Sequence, residues 1–266
     1  MSRSTKHRHS PDSGYARGGE TRTRIVLTAL KLFGEKGFDG ASTRDIATDA
    51  GVNAPALQYY FDSKEGLYVA CVEHIVDRVW ELLGDVVTRA EELLESKADD
   101  ETLIEAFCAM QARTSEFMFT SQEAHDWRLF MARLQAGGGP QAGFQVFFER
   151  ANKRMIAVTA GIVGRLIGLP ASDDETKVRT MALHGQLRSF QVVKRSALAA
   201  LNWDAVDGPR LELLQRVVRE HTITLLRAMI KTRDAAAKSR GKGARASRPK
   251  VTKAGRSLGR SRKRSR

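Results

Sequence analysis

The chain has 266 residues, 42% of them hydrophobic, which is enough for one or two domains with a substantial core and excludes a wholly disordered protein. The formal net charge of +13 is uneven: residues 238–266 alone carry +13, residues 1–19 carry +3, and the part between them carries −3. Two cysteines without metal-ligand spacing argue against a disulfide framework, and no apolar run is long enough to span a bilayer, so we expect a soluble, cytoplasmic protein.

The N-terminal residues 1–19 are rich in Ser, Arg, His, Gly and Pro, and this composition predicts a disordered basic arm. His7 and His9 have no further ligands nearby, so contact of this arm with phosphate is favoured over a metal site. The first helix is expected from about Thr21 to Lys36, because apolar residues recur there at helical spacing and Gly37 follows.

Residues 42–61 have the pattern of two short helices joined by a tight turn. Ser42 is a good N-cap, and Asp45 three residues later completes a pair that resembles a capping box. Gly51 supplies the backbone freedom that a sharp turn after a helix needs. Asn53 is the expected N-cap of the second helix.

The second helix of this pair has a core side and an outer side. Leu57 and Phe61 are four residues apart and therefore share the face that points to the core, which leaves Ala54, Gln58 and Tyr59 outside. In a helix-turn-helix, the first residues of the second helix contact base edges in the major groove. An ordinary helical hairpin uses the same caps and the same glycine, so spacing alone leaves both interpretations open.

Three stretches resemble the N-terminal domain of TetR/AcrR-type transcriptional regulators: residues 43–47, 50–52 and 57–67. The similarity runs without a gap from about residue 21 to 79. It implies a helix-turn-helix DNA-binding domain over residues 20–80, with the motif itself at about 42–61.

The expected DNA-contacting residues are Thr43, Arg44, Asn53, Ala54, Pro55, Gln58, Tyr59, Tyr60 and Lys64. Thr43 and Lys64 are assigned to phosphates at helix N-termini, and Arg44 to a phosphate or a base edge. Gln58 has the donor and acceptor that pair with adenine N6 and N7. The resembled family usually has an aromatic residue in place of Gln58 and often histidine in place of Tyr60, so these two positions bear on sequence preference.

The rest of the chain reads as helical throughout, which predicts an all-α fold of about nine helices with a regulatory and dimerisation domain at 81–235. A long helix from Ser63 to about Ser96 would link the two domains, and Gly84 within it indicates either a weak point or a close helix crossing. Further helices are expected at about 99–119, 122–135, 141–168, 174–200 and 208–233. Cys71 and Cys108 lie in apolar helical patterns and are expected to be buried thiols.

Residues 127–133 and 181–187 resemble the regulatory domain of the CecR-like branch of the same family, more loosely than the N-terminal match. This resemblance implies a homodimer in which the last two helices of each subunit pack together, and a small molecule that enters the body. A helix-turn-helix also needs two copies to bind a two-fold symmetric operator.

A pocket for a small hydrophobic effector is suggested by an excess of Phe and Met in the middle helices. The candidate lining residues are Phe107, Met110, Phe117, Trp127, Phe130 and Phe147. Each of them could equally be an ordinary core residue.

The C-terminal residues 236–266 are low in complexity and rich in Lys and Arg, which predicts a disordered tail that attaches to DNA or only keeps the protein soluble. The sequence as a whole predicts a nucleoid-associated, sequence-specific regulator, most simply a ligand-released repressor that binds a palindromic operator as a dimer. The alternative is an architectural, sequence-independent DNA-binding protein driven by the tail. His125, His184 and His221 lack partners at catalytic or metal spacing, so we expect neither an enzyme nor a cofactor or metal site.

Overall fold

Apolar residues recur at helical spacing in nearly every segment, and the structure is accordingly built from helices. The computed structural model describes residues 11–192 and 194–246. Within these ranges the elements are α1 (Pro11–Gly40), α2 (Thr43–Asp49), α3 (Ala54–Phe61), α4 (Lys64–Glu95), α5 (Asp100–Thr120), α6 (Gln122–Gln135), α7 (Gln141–Phe147), a π-helical turn (Phe148–Asn152), α8 (Lys153–Ile167), α9 (Asp174–Val192), α10 (Lys194–Leu201) and α11 (Gly208–Ala246). No strand occurs in them, which confirms the all-α fold for this part of the chain.

Local caps define the helix-turn-helix. The hydroxyl of Ser42 accepts a hydrogen bond from the amide of Asp45 at 3.0 Å, and the side-chain oxygen of Asn53 accepts one from the amide of Ala56 at 2.9 Å. Gly51 lies between the two helices with a φ of 64°, in the left-handed region that favours glycine. The predicted caps and turn are therefore confirmed.

The first helix is longer than the sequence pattern indicated. Gly37 breaks it with a φ of 77° and a ψ of 171°, where the pattern placed its end. At the other end α1 begins at Pro11, so residues 11–19 are helical and the expectation of a disordered arm is wrong for them; residues 1–10 lie outside the described ranges. Extension of an existing helix adds a hydrogen bond per residue and needs no new nucleus, whereas composition reports only the weak propensity of the isolated segment.

The long helix α4 runs unbroken through Gly84. A Cβ atom added at Gly84 would meet no atom within 4 Å, so the interpretation of Gly84 as a close helix crossing is wrong. With 32 residues, α4 is about 48 Å long, and it carries the chain from the helix-turn-helix to the far end of the body.

Three later helices differ in detail from their predicted bounds. Residues 141–167 form one helical run, as expected, but it contains a π-helical turn, and Gly168 ends it in the left-handed conformation with a φ of 76°. The single helix expected over 174–200 is divided into α9 and α10, which raises the number of segments above nine.

The last helix also continues past its predicted end. It was expected to stop near Arg233, but α11 reaches Ala246, so residues 236–246 of the predicted tail are helical. The alanines at 235–237 and the lysine that follows have high helix propensity, which lets the helix continue without tertiary contacts. The remainder of the predicted tail, residues 247–266, lies outside the described ranges.

The first hydrophobic core joins the helix-turn-helix to the body. It contains residues of α1 to α4 such as Phe33, Leu57 and Tyr68, and it also takes Trp127 and Phe130 from α6. The predicted domain boundary near residue 80 falls inside α4, and the position of that boundary remains a prediction.

The second core lies in the body and is built by α4, α5, α8, α9 and α11. Its largest buried members include Leu103, Ile104 and Phe107. Cys71 in the first core and Cys108 in the second are buried free thiols, as expected. In the part of the chain that the structure describes, no helix combines the length and hydropathy needed to cross a bilayer.

Candidate nucleic-acid interface

The outer face of α3 presents the residues that the sequence assigned to the major groove. Leu57 and Phe61 are buried at 3% and 5% exposure, which fixes the rotation of α3. Ala54, Pro55 and Gln58 are consequently exposed. Together they form a small-residue start and a polar centre, with the dimensions that an α-helix needs to enter a major groove.

The two adjacent tyrosines of α3 differ in their surroundings. Tyr59 is 82% exposed, and its ring meets that of Tyr60 edge to face with the centroids 5.3 Å apart. Tyr60 is half-buried against the first core, and its hydroxyl is 3.7 Å from the position of a Cβ at Gly18 in α1. Tyr59 is thus the freer of the two to contact a DNA backbone.

Gln58 and Asn53 already use part of their hydrogen-bonding capacity. Gln58 donates from its side-chain amide to the backbone carbonyl of Asp62, at the end of α3. Asn53 uses its side-chain oxygen for the cap of α3, which leaves its amide hydrogens as its outward donors. A bidentate contact of Gln58 with adenine therefore needs its second amide hydrogen or a rotation of the side chain.

At the start of α2, Thr43 is half-buried and Arg44 is exposed. The neighbouring carboxylate of Asp45 accepts a hydrogen bond from Lys36 at 3.4 Å. The pKa of Asp45 is lowered, chiefly by the hydrogen bond with the Ser42 hydroxyl and then by the charge of Lys36. The only acidic side chain in the first turn of α2 is in this way paired, so it opposes an approaching phosphate less.

Lys64 has a structural contact besides its proposed contact with DNA. Its ammonium lies 4.6 Å from the centre of the Phe38 ring and donates to the backbone carbonyl of Asp39 at 3.4 Å. These contacts hold the N-terminus of α4 against the segment that follows the break at Gly37.

Two arginines of α1 that the sequence analysis did not single out support the helix-turn-helix. Arg24 donates from Nε to the carbonyl of Ala50 at 3.0 Å and so satisfies the C-terminal end of α2. The guanidinium of Arg22 lies 5.3 Å from the centre of the Phe61 ring. Sequence spacing could not reveal the first contact, because it joins residues 26 positions apart in the chain.

The six candidate effector-lining residues do not lie in one place. Phe107 and Met110 belong to the second core, whereas Trp127, Phe130 and Phe147 belong to the first, with Phe117 packed against it. Two open depressions on the surface lie elsewhere, one along α1 and the other between α4, α5 and α11, and none of the six lines them.

Polar groups are buried beside Phe107. The His184 ring lies 5.7 Å from the Phe107 ring, and its Nε2 is 3.1 Å from the Thr159 hydroxyl. Burial, with a smaller contribution from the charge of Arg188, lowers the pKa of His184 to about 4. His184 is therefore a neutral imidazole inside the body at neutral pH.

A second buried polar contact lies nearby in the body. Gln111 donates to the carbonyl of Leu183 at 3.3 Å and accepts from the hydroxyl of Thr222 at 2.9 Å. Gln111 and Thr222 are 4% and 0% exposed. Buried hydrogen-bonding groups of this kind orient a ligand when an apolar site opens around them.

Two family comparisons cover most of the described helices. Residues 25–71 match the sequence model of a family described as "Bacterial regulatory proteins, tetR family". Residues 103–229 match a second, described as "HTH-type transcriptional dual regulator CecR, C-terminal domain". The first match contains the helix-turn-helix and the second contains both middle helices and the last pair.

Individual proteins agree with these families. The chain is 28% identical over 213 residues to the HTH-type transcriptional dual regulator CecR of Shigella flexneri, which covers 80% of this chain and 94% of that protein. Among solved structures, AibR in complex with isovaleryl coenzyme A and operator DNA matches with a TM-score of 0.53 at 16% identity, over 75% of this chain and 96% of its own. FadR of Bacillus subtilis in complex with stearoyl-CoA matches with a TM-score of 0.50 at 17% identity, over the same shares. Both structures support the fold.

Proposed function

Since the chain belongs to the TetR family of transcriptional regulators, we propose that it is a ligand-released repressor that binds a palindromic operator as a dimer. The observation that supports DNA reading most directly is the exposed start of α3, with Ala54, Pro55 and Gln58 outward and the core side fixed by Leu57 and Phe61. Its similar proteins are transcriptional regulators and not enzymes.

The contacts with DNA divide into base reading and backbone positioning. Gln58 reads a base pair in the major groove, with Ala54 and Pro55 allowing the helix to approach closely. Thr43, Asn53 and Lys64 lie at helix N-termini and contact phosphates, and Arg44 and the two tyrosines contact the backbone beside them.

The dimer is supported by an unpartnered apolar face on α9 and α11. On α9, Val178 and Met181 are 65% and 59% exposed, and one turn later Gly185 faces open space. On α11, Leu225 is 46% exposed. Isolated exposed leucines are ordinary, but a row of apolar residues at helical spacing on the last two long helices is typical of a helix–helix interface. A second copy of the same face closes a two-fold symmetric dimer.

The effector in this proposal is a small hydrophobic molecule that enters the body between α5, α8 and α9. Of the six candidate lining residues, Phe107 and Met110 are the best placed, because buried polar groups of His184 and Gln111 lie close to them. AibR and FadR were solved with acyl thioesters of coenzyme A, so such thioesters belong in a first panel of compounds.

The test is competition binding of the full-length protein to genomic fragments, including its own promoter, against random-sequence DNA. A specific regulator selects one fragment with two-fold symmetry. An architectural protein driven by the basic tail binds all fragments alike, and random DNA competes equally; that result would reject the proposal.

Variants then test the residue roles on the selected fragment. Gln58→Ala should change which sequences bind and cost about 1–3 kcal/mol at one base pair. Lys64→Ala should weaken all sequences alike and reduce the log–log salt slope by about 0.9. Lys153→Ala, an exposed lysine on α8, is the matched control. Thermal melting of each variant separates loss of a phosphate contact from loss of the Lys64 contact with Phe38.

A further inference from the structure

The last helix points away from the helix-turn-helix. α4 begins beside α3 and runs outward, and α5 returns along it, with Arg113 donating to the carbonyl of Leu82 at 3.0 Å. α11 runs antiparallel to α5, because later residues of α11 pair with earlier residues of α5. These pairs are Gln215 with Ser115 at 3.0 Å, Arg219 with Glu105 at 2.6 Å, Arg227 with Glu101 at 2.7 Å and Arg233 with Asp100 at 2.7 Å.

The C-terminal end of α11 therefore lies at the far end of the molecule. Asp100 follows the end of α4, about 48 Å from the start of that helix beside the helix-turn-helix. From Arg233 the helix continues to Ala246, and these 13 further residues are about 20 Å long. The positions at which α3 and the end of α11 face solvent are thus separated by roughly the length of the whole body.

The segment that begins on this helix end is strongly basic. Residues 238–266 contain thirteen Lys and Arg and no Asp or Glu, and Asp234 is the last acidic residue of the chain. Lys238, the first of the thirteen, is exposed. Residues 247–266 lie outside the described ranges, but twenty residues can span at most about 70 Å when fully extended. They could reach DNA held by α3 of the same subunit only near that limit.

We propose that residues 238–266 form a second, sequence-independent site for duplex DNA, at the end of the molecule opposite the helix-turn-helix, so that one protein joins two DNA segments. The proposal rests on the proposed function for the first of these segments. In a dimer whose two copies of α3 bind one duplex, the two-fold axis passes through that duplex, so both basic segments emerge on the far side.

Duplex DNA fits this segment because its recognition needs charge and not shape. Thirteen cations without a fixed apolar surface neutralise phosphates and release counterions, which is the sequence-independent part of DNA binding. A protein held at an operator is also surrounded by non-operator segments of the same DNA at high effective concentration.

The experiment measures bridging directly. Beads carry either the fragment selected in the competition experiment or a random-sequence duplex, full-length protein is bound, and retention of a labelled random duplex from solution is recorded. In one variant all thirteen Lys and Arg of residues 238–266 are replaced by Gln. In the matched control the eight Arg among them are replaced by Lys, which keeps length and charge.

The expected result is retention of the labelled duplex by wild type and by the all-Lys control, and at least a tenfold loss in the Gln variant, with little change in affinity for the selected fragment. If about four phosphates are contacted, affinity for the labelled duplex should fall by roughly 100-fold between 50 and 200 mM salt. Equal retention by the Gln variant would overturn the proposal. So would loss of affinity for the first fragment without any bridging, since the segment would then fold back on the DNA that α3 holds.

Two further outcomes are distinguishable. Tail-dependent binding to vesicles of phosphatidylserine, without retention of duplex, would overturn the proposal in favour of a lipid surface. Failure of the wild type to select any fragment would reject the proposed function, while retention on the random-sequence beads would still decide whether the basic segment joins two duplexes.

Discussion

Arg133 on α6 donates from Nε to the backbone carbonyl of Gly34 on α1 at 2.8 Å. Its Nη2 also donates to the carbonyl of Glu35 at 3.1 Å. These two carbonyls belong to the last turn before the break at Gly37, where carbonyls lack partners within the helix. Arg133 therefore acts as a cap, supplied by the body, for the helix that supports the DNA-binding surface.

Replacement of Arg133 by Ala should lower the free energy of unfolding by about 1 kcal/mol, because two hydrogen bonds to a charged donor are lost at a partly exposed site. Urea denaturation checks this. Arg89→Ala is the control, since Arg89 makes only an exposed pair with Glu92 three residues away, and we expect a change below about 0.5 kcal/mol. Equal losses in the two variants would mean that the link between α1 and α6 contributes nothing special.

Gly34 allows α1 and α6 to approach closely. An added Cβ would lie 3.0 Å from the backbone nitrogen of Phe130 and 3.2 Å from the Cβ of Leu129. Backbone atoms cannot move aside as a flexible side chain does, so Gly34→Ala should cost about 1–3 kcal/mol of stability, measured by urea denaturation. An unchanged midpoint and slope would show that the two helices separate freely.

Gly84 should respond in the opposite direction. It lies inside α4, and an added Cβ would meet nothing within 4 Å. Gly84→Ala should therefore raise the free energy of unfolding by about 0.5–1 kcal/mol through helix propensity alone. A thermal melt that shows a lower midpoint would indicate that α4 needs to bend at this residue.

The apolar face of α9 predicts a change in oligomeric state. Met181→Asp introduces a charge at the centre of the proposed interface, next to Val178, and should increase the dissociation constant of the dimer by at least tenfold because an unpaired charge would be buried there. Sedimentation equilibrium measures this. Leu27→Asp, at a 45% exposed leucine on α1, is the control and should leave the oligomeric state unchanged. Dissociation by Leu27→Asp and not by Met181→Asp would place the interface elsewhere.

His184 predicts a loss of stability in mild acid. Its folded-state pKa of about 4 lies below its ordinary value of 6.5, so between these pH values the unfolded chain binds more protons than the folded one. The contribution of His184 is complete above pH 6.5 and is lost as pH falls through 4. At about 1.4 kcal/mol per pKa unit, the loss is at most about 3 kcal/mol.

The test compares urea denaturation of wild type and His184→Gln across this pH range. The variant should lose less stability between pH 7 and pH 4.5 than the wild type. Thr159→Val is the control, because it removes the hydroxyl near the imidazole but leaves His184 buried, and it should keep the wild-type pH dependence. Parallel curves for wild type and His184→Gln would show that the imidazole titrates as it does in the unfolded chain.

The sequence by itself determined the features that depend on a few neighbouring residues. The caps at Ser42 and Asn53, the turn at Gly51 and the break at Gly37 follow from side-chain hydrogen bonds and backbone freedom within one helical turn. The exposed side of α3 follows from the four-residue spacing of its buried pair. Which of its exposed residues contact DNA is still a prediction.

Only the tertiary structure decided which distant segments meet. Arg133 caps a helix 99 positions earlier in the chain, Trp127 joins the core of the helix-turn-helix, and Arg233 pairs with Asp100 to direct α11 away from the DNA-binding surface. Periodicity defines the buried side of each helix but not its partner, because many pairings bury similar apolar area. The physical reason is that partner choice depends on shape and on individual hydrogen bonds across the contact, and these exist only once the helices are packed.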